Sequence, residues 1–249
     1  MEITINPKYE YMAEFVSSIP DNFNQLGKVI YDGRNVIRVI SAPNGEIINV
    51  KKYHSPCGIN AFVYSLGIRK AKGWRAYHFA QRLINMDINT PEPIAYIENR
   101  RCGIITDSYF ISVQCQYEHL MYEMGNAPAE EYEPMSKALA QFTVMLHEKG
   151  VLHKDYSPGN ILWRKDGDDY LFSIVDINRM QFGYVDMRTG CKNFARLWGP
   201  KRFLIMVVEE YARLRNLDVE ECKNIMLHCR ARFWRRFSLK HKVKFELEY

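Results

Sequence analysis

The chain has no apolar run long enough to span a bilayer. About 20 consecutive apolar residues are needed. The longest candidate, FLIMVV at 203–208, is bounded by Lys201 and Arg202 on one side and by Glu209 and Glu210 on the other, so it reads as a buried stretch of helix. The first ten residues, MEITINPKYE, place acids and polar groups where a leader peptide is apolar, so no leader is expected. The six cysteines (57, 102, 115, 191, 222, 229) contain no CxxC pair. That spacing argues against a structural zinc site or a disulfide framework and suits free thiols in a cytoplasmic protein. Repeats, low-complexity tracts and long linkers are also missing. The net charge of +5 is too mild to mark a nucleic-acid binder. No carboxylate occurs between Glu46 and Asp87, and the turn of YDGRN carries a single glycine, Gly33.

What is present is an ordinary folded composition over 249 residues, 47% hydrophobic and 25% charged, enough for one large domain or two lobes. Residues 27–53 contain three apolar, β-rich runs parted by DGRN and PNGE. Asn44-Gly45 is a strong hairpin signal, and the whole reads as an antiparallel meander. Trp74, Tyr77, Leu83 and Ile84 recur at helical spacing across about 70–86. The prolines of TPEPIAYIE (90–98) end that helix and begin a strand, and 102–116 supplies another strand or two. Residues 133–150 form an amphipathic helix with Leu139, Phe142, Met145 and Leu146 on one side, stopped by Gly150. LFSIVDINRM (171–180) is a short apolar strand ending in a polar turn. From about 192 onward the pattern is helical, with Asp218 placed to cap the last helix. The expected fold class is α+β and two-lobed, a strand-rich lobe over 1–116 and a mainly helical lobe over 117–249.

The segment HKDYSPGNIL (153–162) has a plain reading as a turn between two short strands, since Asp, Ser, Pro, Gly and Asn all favour turns. Its wider context favours phosphoryl transfer from ATP. That chemistry needs a strand cation on the phosphates, an aspartate for the attacking hydroxyl, and oxygen ligands for magnesium. Such sites show H-x-D, an Asn five residues beyond the Asp, and a further Asp at the end of the next strand. Here Lys51 ends the third strand. His153, Asp155 and Asn160 occupy the loop, and Asp176 ends the strand FSIV twenty-one residues after Asp155. Asp155 is the candidate base, and Asn160 and Asp176 are the candidate magnesium ligands. Lys51 and Gly33 are the candidate nucleotide contacts. Alternation puts Lys51 and Lys52 on opposite faces of the strand, so only one of them can face the nucleotide.

NPKY, GKVIYDGRN, VKKYH, AKGWRAYHFAQRL, TPEPIAYIE, HKDYSPGNIL, FSIVDINRM and NFARLW together resemble the lipopolysaccharide kinase family, the Kdo/heptose kinase group. The resemblance covers nearly the whole chain. It implies a protein-kinase-like fold and ATP-dependent phosphorylation of a sugar hydroxyl in the lipopolysaccharide inner core, with 3-deoxy-D-manno-octulosonic acid (Kdo) or heptose as acceptor. Two departures stand out. The helix glutamate that pairs the strand lysine in kinases is replaced by His78, so a carboxylate such as Glu92 or Glu98 would have to reach Lys51 instead. Ser157 stands where many protein kinases carry a phosphate-binding lysine.

The segment 230–244 carries seven Lys/Arg and no acid, interleaved with Phe233, Trp234 and Phe237. It reads either as a terminal helix packed on its lobe or as a contact with the anionic inner face of the inner membrane. Nucleic acid is the weaker partner. The alternatives to a lipopolysaccharide sugar kinase are a nucleotide-binding pseudokinase or scaffold, and a kinase of another small molecule or of a protein.

Overall fold

The computed structural model describes residues 1–54, 64–65, 70–243 and 248. The chain divides into two compact units, Met1–Gln116 and Tyr117–Tyr249.

The first unit is built on one antiparallel sheet in the order β1-β5-β6-β4-β3-β2. The strands are β1 (Glu2–Ile5), β2 (Lys28–Asp32), β3 (Val36–Ser41), β4 (Ile47–Tyr53), β5 (Pro93–Arg101) and β6 (Ile104–Val113). The meander of 27–53 is present. Its Asn44-Gly45 turn has Gly45 at φ +87°, a conformation that costs glycine little. Residues 102–116 give the single strand β6.

The elements at the start of the chain lie outside the sequence reading. Strand β1 adds to the sheet edge through Glu2↔Glu98, and helix α1 (Ala13–Asn22) follows it. Val16, Ile19 and Phe23 cover one face of the sheet, packing with Ile48, Val50, Ala95, Ile97, Tyr109 and Ile111. Burying each such aliphatic or aromatic side chain contributes about 1.5–3 kcal/mol. The opposite face is covered by helix α2 (Lys72–Ile84). Tyr77 and Trp74 pack there on Tyr96 and Phe110. The approach is close because Gly73 has no side chain: a Cβ there would lie 2.8 Å from the Tyr96 ring.

The second unit is mainly helical. Its helices are α3 (Tyr132–Glu148), α4 (Met187–Asn193), α5 (Lys201–Leu214) and α6 (Val219–Ser238). Short strands carry the loops: β7 (His119–Leu120), β8 (Val151–His153), β9 (Ile161–Asp166), β10 (Asp169–Ile174) and β11 (Met180–Phe182). β9 and β10 form the hairpin around Gly167 at φ +62°, and β8 pairs with β11.

Helix α3 is buried more widely than a single stripe. Met135, Ser136, Leu139, Ala140, Thr143, Val144, Leu146 and His147 are all inside. The Asp218 carboxylate caps α6 by accepting the Glu221 N–H at 2.6 Å. The five cysteines among the described residues are free thiols, and Cys57 lies outside them. No described helix is long and apolar enough to cross a membrane.

The basic segment is partly buried. Arg230 and Trp234 are buried at 1% and 4% exposure, so neither is available to a membrane. Arg230 donates to the carbonyls of Leu197 and Gly199, the latter at 3.1 Å. The cations left exposed are Arg232, Arg235, Arg236, Lys240 and Lys242, while Lys244 lies outside the described residues.

Candidate active site

The loop between β8 and β9 is organised by His153. Its ring is buried, with Nδ1 accepting the Asp155 N–H at 3.1 Å. Nε2 therefore carries the proton and donates to the Val175 carbonyl at 2.9 Å. The ring is neutral in this arrangement. Burial pushes its pKa down, in agreement. With both nitrogens committed to the backbone, His153 is a structural clamp. It joins the start of the loop to the residue just before Asp176.

Asn160 closes the same circuit. Its side-chain Nδ2 donates to the Asp155 carbonyl at 2.9 Å, and its own carbonyl accepts the Val175 N–H at 3.0 Å. The Ser157 N–H also reaches the Asp155 carbonyl, at 2.7 Å. Because the amide nitrogen is used inside the loop, Oδ1 is the atom that Asn160 offers a ligand. Asp176 follows β10 in the left-handed region, at φ 55° and ψ 41°, which Asp tolerates better than most residues. Its Oδ1 accepts from Asn178 Nδ2 at 2.6 Å. The structure thus brings Asp155, Asn160 and Asp176 together, through His153 and the paired backbone of 160 and 175.

Among the described residues no group of three or more His, Cys, Asp or Glu side chains is arranged to hold a metal by itself. Magnesium at a phosphoryl-transfer site asks for fewer protein ligands than such a group supplies. It is a hard cation that keeps several waters, takes substrate phosphates as ligands, and needs only one or two carboxylates. An Asn oxygen and an Asp carboxylate are a fitting protein share.

Asp155 carries a feature that the sequence did not reveal. Its Oδ1 is ion-paired with Arg196 and its Oδ2 with Arg179 at 3.5 Å. Arg179 and Arg196 lie within INRM and NFARLW, but nothing local in either segment points to Asp155. Arg196 is supported from behind by the Phe233 ring, 5.1 Å from its guanidinium carbon. Helix α6 thus backs the loop instead of lying free.

Lys51 and Gly33 lie in the first unit. In the sheet register Lys51 stands opposite Phe110, which stands opposite Tyr96. Directly opposed residues share a face, so Lys51 is on the α2 face. Lys52 is on the other. It is 3.4 Å from Asp107 and lies over the rings of Phe23 and Tyr109. The α2 face also carries a buried carboxylate, Glu98, but Arg100 holds it at 2.6 Å and the Tyr96 hydroxyl donates to it. Glu92 is paired with Lys8 at 2.8 Å and with the Tyr9 hydroxyl. His78 packs on Trp74 at 3.9 Å between centroids, and burial lowers its pKa, so it is a neutral ring on the helix. The Gly33 N–H donates to the Asn35 carbonyl at 3.1 Å, and the Tyr31 ring lies where a Cβ would be.

The two lysines make opposite predictions. Lys51→Met is expected to raise the KM for ATP by about tenfold or more, as for a lost phosphate contact. Lys52→Met removes a partly exposed ion pair, so it should change stability by under about 1 kcal/mol and leave the ATP KM alone. Steady-state kinetics and urea unfolding of both variants check this. An unchanged ATP KM in Lys51→Met would remove Lys51 from the nucleotide site.

Comparison with known proteins comes at three levels. The family model described as Lipopolysaccharide kinase (Kdo/WaaP) family matches residues 59–214, a span that includes Asp155, Asn160 and Asp176 but not Lys51 or Gly33. A search of curated proteins by sequence gave no match. Among solved structures, WaaP in complex with acyl carrier protein aligns with a TM-score of 0.61 at 16% identity, over 97% of this chain and 100% of that one. The Rio2 kinase from Chaetomium thermophilum, solved as an ADP/Mg2+-phosphoaspartate complex, aligns with a TM-score of 0.51 at 15% identity, over 89% of this chain and 67% of that one. At such identities the likeness shows the fold, which is protein-kinase-like, an α+β arrangement as the sequence suggested. With more than half of its length matched by the family model, the chain belongs to the lipopolysaccharide kinase (Kdo/WaaP) family and is a phosphotransferase.

Proposed function

We propose that the protein transfers the γ-phosphoryl group of ATP to a hydroxyl of a sugar, Kdo or heptose, in the lipopolysaccharide inner core. The observation that carries this reading is the lacing of Asp155, Asn160 and Asp176 into one site by His153. Phosphoryl transfer relies on positioning and charge neutralisation, and these residues are held for both. Asp155 would orient the acceptor hydroxyl and take its proton as the new P–O bond forms. Asn160 Oδ1 and Asp176 would hold magnesium, which when bound neutralises charge on the phosphates. Lys51 would contact the phosphates, and the turn at Gly33 would lie against the nucleotide. The work would take place on the cytoplasmic side of the inner membrane. The exposed cations of α6 and its C-terminal extension, Arg232, Arg235, Arg236, Lys240 and Lys242, would meet the anionic leaflet there.

His78 favours a second reading, a nucleotide-binding protein without turnover, because a neutral ring stands where kinases place the helix glutamate. One experiment separates the two. The purified protein is incubated with ATP, magnesium and inner-core lipopolysaccharide re-extracted from a strain that lacks it, and the acceptor is weighed by mass spectrometry. Gain of one phosphoryl group is the expected result. Stabilisation by ATP with no gain would favour the second reading.

A further inference from the structure

We propose that strand β2 is a self-association edge: it pairs antiparallel with β2 of a second copy of this chain, about a two-fold axis through Ile30. The pairing needs nothing from the active site.

β2 stands last in the sheet order, so only one of its edges is paired, with β3. The other edge presents backbone donors and acceptors to solvent, a template for a further strand. All five residues of β2, Lys28–Asp32, are exposed. Three in a row are large and apolar: Val29 at 38%, Ile30 at 52% and Tyr31 at 52%. Among the described residues, the other exposed large apolar side chains have no such neighbour in sequence. Single exposed apolar side chains are ordinary, whereas a contiguous run on a free strand edge marks a contact surface.

Charge sets the partner and the direction. Free edges are commonly guarded by lysine, because like charges brought face to face repel. β2 instead carries one lysine and one aspartate, at equal distances from Ile30. Antiparallel pairing about Ile30 sets Lys28 opposite Asp32, Val29 opposite Tyr31, and Ile30 opposite its own copy. Symmetry makes each unlike pair occur twice. Opposite charges, and an aromatic ring with a β-branched side chain, are favourable cross-strand pairs. Parallel pairing would set Lys28 against Lys28 and Asp32 against Asp32. The next pair outward is Gly27 opposite Gly33, so no side chain obstructs either end of the contact.

The strand also carries a bulge. Val29 faces Arg38 and Tyr31 faces Ile37 on β3, which leaves Ile30 as the extra residue. A bulge bends its strand and spoils pairing with a straight one. With Ile30 on the axis the two bulges coincide, so both strands bend together and the register on either side stays matched. Such a contact uses the same patch on both copies and closes at two. Five residues a side bury less than the roughly 1,200 Å² of a standard stable interface, so the dimer is weak, with a Kd of about 10⁻⁵–10⁻³ M.

Sedimentation equilibrium of the full-length protein, from about 10 µM to about 1 mM, brackets that range. A monomer–dimer equilibrium is expected for the unaltered chain. Lys28→Asp and Asp32→Lys each bring like charges face to face twice, so each should weaken association by about tenfold or more. The double variant, Lys28→Asp with Asp32→Lys, restores opposite charges and should dimerise as the unaltered chain does. Both side chains are exposed, so an unchanged Tm is expected and shows that each variant is folded. Amide protons of 28–32 should exchange more slowly as the protein concentration rises, which places the contact on β2. A chain that stays monomeric throughout, a dimer indifferent to both single reversals, a double variant as weak as the singles, or amide exchange at 28–32 that ignores concentration would each overturn the proposal.

Discussion

Asp155→Asn is expected to slow phosphoryl transfer by about 10²–10⁴-fold, the usual worth of a positioned general base, while ATP still stabilises the protein. The structure explains why the two effects separate. The loop is held through the backbone of Asp155: its N–H goes to His153, and its carbonyl accepts from Asn160 and Ser157. Those bonds are indifferent to the side chain. What the substitution removes is the negative charge and the proton affinity. It also leaves Arg196 and Arg179 without their carboxylate. Both are partly open to water, at 32% and 50% side-chain exposure, so the stability cost should stay small. Rates and Tm measured with and without ATP give both halves of the result. A rate within about threefold of the original, against the loss expected for a base, would mean that Asp155 does not handle the proton.

Acid should destabilise the fold well before its carboxylates titrate, through His147. This side chain is buried at 3% exposure. Its Nε2 faces Asn193 Oδ1 at 3.2 Å, an acceptor, so Nε2 bears the hydrogen, and Nδ1 accepts from the Tyr211 hydroxyl at 2.8 Å. The ring is built in as neutral, and burial lowers its pKa from 6.5 to about 4. Above pH 6.5 the ring is neutral in both the folded and the unfolded chain, and the contribution is fully present. As pH falls below 6.5 the unfolded chain takes up a proton that the folded chain refuses, so stability drops, and the loss levels off below pH 4. The shift corresponds to about 3 kcal/mol. His153, also buried with a lowered pKa, acts in the same direction. Urea midpoints at pH 7 and pH 5 should therefore differ markedly, and His147→Gln should flatten the difference. Stability constant over that range would contradict the neutral arrangement. The network has a functional side: Asn193 Nδ2 donates to the His153 carbonyl at 3.0 Å, which ties His147 to the loop carrying Asp155.

The parts of the fold legible in the sequence are those that local chemistry dictates. The meander, the Asn44-Gly45 turn, the β9–β10 hairpin and the Asp218 cap all follow from a few neighbouring residues. So does the order of the loop and the strand end, because backbone bonds between 160 and 175 close over a single hairpin. The missed features depend on distant partners. Strand β1 becomes a strand by pairing with β5, more than ninety residues later, and α1 is a helix that contains Pro20. Arg196 reaches Asp155 across 41 residues, and Tyr122 meets Gly159 and Trp198 only in the folded unit. Alternation showed that Lys51 and Lys52 differ, and only the register against Phe110 and Tyr109 shows which of them lies on the α2 face. Arg230 was read as one cation in a basic segment, yet it is a buried strut under the loop of Leu197 and Gly199.

The most direct test of the central claim is made in cells. A strain lacking the protein is complemented with the unaltered chain or with Asp155→Asn, and the inner-core lipopolysaccharide of each is compared by mass spectrometry. The account predicts one additional phosphoryl group on a core sugar with the unaltered chain and none with the variant. Identical cores in both strains would contradict it.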